Sequence, residues 1–291
     1  MVFETVNLEG IFKMVRIVSD TSTLYSSKQA NEKGFDVAPL SVTIAGNSYK
    51  EFNEITTPEF VNIIKQGHLP TSSQPAIGDV VALFEKYPDD EILNISMAKG
   101  LSGTYDSAVT AAGLCENSDR ITVINTRTLC GPHRYLVEKA VELAKNGLNK
   151  EEILAQLKTG LESHKSFLMP ADFDYLRRGG RLSPLVSYVG KFAGLVPIMT
   201  QTEDGEQLAK YSVQRGFKNA ISHLVKKFEE YNVGKGWRVY ITHADAPHLA
   251  QQAKEIIMEK ISDAVFEIYP LSPAFVTQGG PGCVAVQVIK E

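Results

Sequence analysis

No unbroken apolar stretch in this chain approaches the ~18 residues that a membrane span requires, so insertion into a bilayer is not expected. Cysteine is scarce: Cys115, Cys130 and Cys283 are odd in number, far apart and free of any C-x-x-C spacing. That argues against a disulfide framework and a zinc site, and fits a reducing cytoplasm. No G-x-x-x-x-G-K-[ST] loop, G-x-G-x-x-G turn, G-x-S-x-G elbow or H-E-x-x-H pair occurs. These absences remove the commonest nucleotide-binding, serine-hydrolase and zinc-peptidase signatures. The six histidines are scattered, and Pro247 interrupts the closest pair, His243 and His248, so no metal site is expected. His243 reads as a strand-end residue rather than a general base. There is no excess of positive charge either: 30 Lys and Arg face 34 Asp and Glu, for a net charge of −4. With the two signs interleaved, no broad surface suits a phosphate backbone, and nucleic acid is a poor partner. No catalytic residues and no cofactor stand out.

What is present is an ordinary globular composition, 43% apolar and 22% charged, in a chain of 291 residues. Single cores seldom grow far beyond ~250 residues, which favours two lobes. Residues 1–13 lack an apolar secretory core, Met14 reads equally well as a start, and 1–13 are expected to extend outside the fold. Short apolar runs predict strands over 15–18, 37–44, 92–95, 121–124 and 167–169. Three- and four-residue apolar spacing predicts helices over 57–65, 78–87, 104–114, 135–145 and 151–163. Such alternation implies a parallel sheet covered on both faces, a three-layer α/β/α domain spanning 14–168. A second α/β domain with a mixed sheet is expected over 169–291. It opens with strands over 196–199 and 207–213 around Glu203-Asp204-Gly205-Glu206, then helix 217–231, strand 239–242, helix 250–261 and strands 265–269 and 284–289.

Three polar loops fall where a strand should end and a helix begin, the usual place for a ligand in an open α/β sheet. Pro70-Thr71-Ser72-Ser73-Gln74-Pro75 fixes three hydroxyls between two prolines. In Lys99-Gly100-Leu101-Ser102-Gly103-Thr104-Tyr105, Ser102 stands as a helix N-cap, and the glycines allow a ligand to approach the backbone. Gln278-Gly279-Gly280-Pro281-Gly282 is either a plain turn or a concave set of N–H donors. For the first two loops, helix capping and anion binding both remain open. Arg177, Arg178 and Arg181 flank Gly179-Gly180. They form a solvated cluster after a helix or a docking surface for an acidic or phosphorylated partner.

These segments, in this order, resemble the DegV family, whose members include the fatty-acid-binding subunits of bacterial fatty acid kinase. The further landmarks are Ser19-Asp20-Thr21-Ser22, Tyr175-Leu176-Arg177-Arg178-Gly179-Gly180-Arg181-Leu182, the Arg215 segment and Gly280-Pro281-Gly282, so that the likeness runs from Met14 to the end. The resemblance implies two α/β domains enclosing a long-chain fatty acid, with no catalysis by the chain itself. It places the carboxylate against Ser72 and Ser102, with Thr71, Gly103, Gln278 and Gly280 beside them. It also implies a separate ATP-dependent kinase subunit that forms an acyl phosphate and docks near Arg177, Arg178 and Arg181. The chain departs from the family pattern in having Gln278 where a histidine is common; glutamine donates a hydrogen bond but does not titrate. The competing reading is an enzyme acting on a small phosphorylated or keto substrate, as in the distantly similar dihydroxyacetone kinases. A long apolar cavity would favour the lipid, a short polar one the enzyme. A pure interaction module, with Ser102 of no consequence for binding, is the third reading.

Overall fold

The computed structural model describes residues 14–184 and 194–291. The expected extension over 1–13 lies outside them. Val15–Asp20 (β1) is covered along nearly its whole length, as a strand between two helical layers must be. It stops where the Asp20 carboxylate accepts the Ser22 N–H. Ser27–Lys33 (α1), opened by a Ser26/Gln29 capping box, leads to Asp36–Ala38 (β2), which lies parallel to β1. The continuous strand expected over 37–44 is broken at Pro39, which has no N–H to give a ladder. Ser41–Ile44 (β3) instead joins Asn47–Lys50 (β4) in a hairpin, and with Thr71–Ser73 (β5) makes a small antiparallel sheet that sequence periodicity does not reveal.

Thr57–Lys65 (α2) matches its predicted span, fixed by a Thr56/Glu59 capping box and Pro58 in the first turn. Ile77–Glu85 (α3), Glu91–Ser96 (β6), Thr104–Leu114 (α4), Ile121–Asn125 (β7), Cys130–Lys145 (α5) and Lys150–Ser163 (α6) follow. The first sheet has the order β2-β1-β6-β7, with every pair parallel.

Lys165–Met169 (β8), grouped with the first part by periodicity, hydrogen-bonds in the second sheet. After it come Phe173–Gly179 (α7), the antiparallel pair Leu195–Gln201 (β9) and Leu208–Arg215 (β10), Phe217–Glu230 (α8), Trp237–His243 (β11), Pro247–Met258 (α9), Val265–Pro270 (β12), Pro273–Gly279 (α10) and Val284–Lys290 (β13). At the hairpin turn Gly205 adopts φ 75°, as expected. The second sheet is mixed, with the order β10-β9-β8-β13-β11-β12.

Five layers result. Helices α3 and α4 cover the outer face of the first sheet, packing Val80, Phe84 and Ala108 on Val18 and Ile92. Helices α5 and α6 fill the space between the sheets, where Leu136, Val137 and Leu157 meet Ile17 and Leu93 on one side and Tyr240 and Ile289 on the other. Helices α8 and α9 close the far face of the second sheet on Phe167, Val239 and Val286. A further cluster joins β3 and α2 to Met97, Leu271 and Val276. It lies at the carboxyl ends of the first sheet's strands.

Candidate functional site

Beyond the ends of β6 and β7, facing the second sheet, lies a cavity of about 110 Å³. Met97, Leu101, Leu129 and Cys130 wall it from the first sheet; Leu168, Met199 and Ala285 floor it from the second. Helices α7 and α10 contribute Leu176 and Phe275. Burial raises the Cys130 thiol well above its ordinary range and pushes that of Cys283, also in the wall, up to about 12. Both therefore act as apolar surface at neutral pH. Among the described residues no histidine lines the cavity, and the polar side chains that do are Arg181, Gln278, Ser166, Gln201 and Gln287. The cavity thus meets the apolar half of the expectation for a lipid tail, though not its length. Among the described residues, no group of three or more His, Cys, Asp or Glu could hold a metal, and no helix is long and apolar enough to cross a membrane.

Gln278 and Leu101, the neighbour of Ser102, line this cavity, and Ser72 is joined to its wall through Gln278. Ser72 lies in strand β5 opposite Val42, not in a capping loop, and helix α3 has Ala76 at its N-cap position and no side-chain cap. Strand alternation turns Ser72 inward and leaves Thr71 and Ser73 exposed. The Ser72 hydroxyl accepts a 3.0 Å hydrogen bond from Gln278 Nε2. Gln278 belongs to the last turn of α10 rather than to a loop, and its Oε1 is buried without a hydrogen-bond partner. Ser102 is not the N-cap either: Gly103 holds that position in α4, while Ser102 closes the short 3₁₀ turn Lys99–Leu101. The Ser102 hydroxyl lies 2.8 Å from the Thr104 hydroxyl and 3.3 Å from the Thr104 N–H. The Gln74 side chain stands over Gly103, at 3.0 Å from where a Cβ would sit, which brings the two serine segments together.

Of the two readings left open for the Gly279–Gly282 segment, the backbone bonds match the turn rather than a concave set of free N–H donors. The Gly280 N–H donates to Val276 O at 2.8 Å and that of Gly282 to Ala244 O at 2.6 Å, so neither faces a ligand. Gly280 is needed sterically: at φ 76° its missing Cβ would lie 2.7 Å from the Tyr175 ring. Gly100 faces no ligand, because the backbone of Glu206 occupies the space a Cβ would take, 2.1 Å away.

The arginines divide. Arg177 and Arg178 are exposed on the last turn of α7, the first 3.4 Å from Asp174 and the second 4.6 Å from the Tyr175 ring centre. Arg181 is half-buried and lines the cavity, donating to Leu101 O at 3.2 Å and to Gly179 O. It braces the Ser102 turn rather than extending the exposed pair.

Sequence reasoning missed three groups. Gln74 carries no signal beyond its place between Ser73 and Pro75. His133 is fully buried, 2.9 Å from the Ser19 hydroxyl and 3.1 Å from that of Thr126, with its basicity lowered by burial; it ties α5 to β1 and does not line the cavity. Glu51 is fully buried between the Thr21 hydroxyl and the Ala274 N–H at the start of α10.

Comparison with known proteins gives one consistent result. A sequence model described as an uncharacterised protein family, DegV, matches residues 14–291. Protein DegV of Bacillus subtilis (strain 168) is 29% identical over 279 residues, covering 94% of this chain and 98% of that protein. The crystal structure of DegV from Bacillus subtilis, described as a fatty acid binding protein, superposes with a TM-score of 0.84 at 26% identity, covering 96% of this chain and all of the other. A Thermotoga maritima protein described as revealing fatty acid binding function gives a TM-score of 0.81 at 26% identity, with 96% of this chain and 100% of that one covered.

Proposed function

This chain belongs to the DegV family, matched over 14–291, and on that premise we propose that it binds a long-chain fatty acid. The tail lies in the cavity between the sheets, and the carboxylate is held at the edge where Ser72, Ser102 and Gln278 converge. The observation that carries this reading is the joining of an apolar cavity to a bonded Ser72–Gln278 pair at its rim. About 14 methylenes at ~0.8 kcal/mol each offer up to roughly 11 kcal/mol before the cost of association, so the tail supplies affinity. Hydroxyl and amide donors to the carboxylate, at ~1.5–3 kcal/mol each, set its orientation. Because Gln278 Nε2 donates to the Ser72 hydroxyl, the single Ser72 O–H is left free to donate to the carboxylate, and Gln278 holds that hydroxyl in place.

The cavity of about 110 Å³ is smaller than the ~300–1,000 Å³ usual for ligand sites, so a long tail enters by displacing lining side chains. Met97 and Met199, with three rotatable bonds each, yield most readily. Within this reading the protein does no chemistry of its own. It presents the carboxylate to a separate ATP-dependent kinase subunit, for which exposed Arg177 and Arg178 offer a docking point beside the rim. Ser72→Ala and Ser102→Ala, tested by displacement of a fluorescent fatty acid, should each weaken binding by about ten- to a hundredfold. Unchanged affinity in both variants would remove the carboxylate from this rim.

A further inference from the structure

The cavity has a second polar boundary, and its position follows from strand register. Gln287 on β13 pairs with Ser166 on β8, and one step beyond the Phe167–Thr200 pair Ser166 faces Gln201 on β9. All three line the cavity, as do the members of the neighbouring row, Ala285, Leu168 and Met199. Leu168 lies on the side of α10, 3.8 Å from where a Gly279 Cβ would sit. The apolar row therefore separates the Gln278 rim from the row of amides and hydroxyl.

That polar row is fixed. Gln287, 1% exposed, donates to Leu129 O at 3.0 Å and to the Ser166 hydroxyl at 2.8 Å, and accepts the Gly131 N–H at 3.3 Å. Gln201 donates to Arg127 O at 3.0 Å. Behind the row opens a second cleft of about 560 Å³ lined by Arg127, His164, Lys165 and Thr202; Ser166, Phe167 and Gln201 line both spaces.

We propose that the cross-strand row Gln287–Ser166–Gln201 is the end stop that sets the length of the acyl chain. The inference rests on the fatty-acid reading. Up to the row, each added methylene gains about fourfold in affinity, the equivalent of ~0.8 kcal/mol. At the row the gain ends, because a further methylene meets polar groups whose hydrogen bonds it must break to advance. Removing the Gln201 side chain joins the cavity to the cleft behind it.

The test is displacement of a fluorescent fatty acid by saturated acids of increasing length, at fixed pH and salt. For the unaltered protein, affinity should climb about fourfold per carbon and then stop at one chain length. Gln201→Ala should move that stop to longer chains by two carbons or more, and Ser166→Ala, a smaller change, by one. Lys165→Ala, altering only the cleft behind, should leave it in place. A climb without any stop, or a stop unmoved in whichever of the first two variants is folded, would overturn the inference while leaving fatty-acid binding intact. Failure of the unaltered protein to bind any acid would instead remove the underlying reading.

Discussion

A carboxyl group enclosed completely in protein, as at Glu51, is held against a steep desolvation cost. The Thr21 hydroxyl at 2.5 Å and the Ala274 N–H at 2.9 Å offset only part of it, and Asp20 adds repulsion. Burial thus pushes the Glu51 pKa from 4.5 up to about 7. The native state then holds a proton that the unfolded chain has released, so the stability due to Glu51 is fully present below pH 4.5 and declines until about pH 7. The loss is on the order of 3 kcal/mol. Glu51→Gln, which keeps the neutral shape, should lack this decline. Urea unfolding of both proteins at pH 5 and pH 8 checks it: equal changes for the two would mean that Glu51 does not titrate in this range. Residues of this kind are illegible in sequence, since Lys50-Glu51 reads as a solvated charged pair and the partner N–H is 223 positions away. Ser72 and Ser102 were legible as hydroxyls near strand ends, but not as partners of Gln278 and Thr104. A contact across 206 residues leaves no local trace.

Among the elements, helices with apolar residues at three- and four-residue spacing were legible, with a capping box at α2 and without a side-chain cap at α4. Helices α2 and α4 keep their predicted spans, and the strands of the two large sheets overlap the apolar runs, except that the run over 37–44 is divided between β2 and β3. The short elements were not. Strand β5, with sequence Thr-Ser-Ser, carries no apolar alternation, and α10 ends in glycines that read as a turn. Both are specified by what packs on them, and both carry residues of the proposed site. Close approach between elements gives a paired prediction. Gly100→Ala would drive a Cβ into the Glu206 backbone, so that the β9–β10 turn must move away from the Ser102 segment. A loss of ~1–3 kcal/mol is expected, together with weaker fatty-acid binding. Gly113, in α4 with open space around it, should instead gain up to ~1 kcal/mol on change to alanine. Denaturant midpoints decide both; equal midpoints for the two variants would contradict the packing seen at Gly100.

For the whole molecule, sequence reading reached two α/β parts, one sheet parallel and one mixed, and the structure has both. It did not reach the sharing of α5 and α6 between the sheets, because an amphipathic helix does not announce that it has two apolar neighbours. That shared layer brings the ends of the first sheet's strands against the inner face of the second, and the cavity lies between them. An acyl tail enclosed there would survive purification, because every methylene returned to water costs ~0.8 kcal/mol. The most direct measurement is mass spectrometry of the organic extract of protein purified from a bacterial host, under native conditions and at known concentration. A long-chain fatty acid near one per chain, falling well below that in Ser72→Ala/Ser102→Ala protein of unchanged fold, is the predicted result. An extract of the unaltered protein with no stoichiometric fatty acid would contradict it.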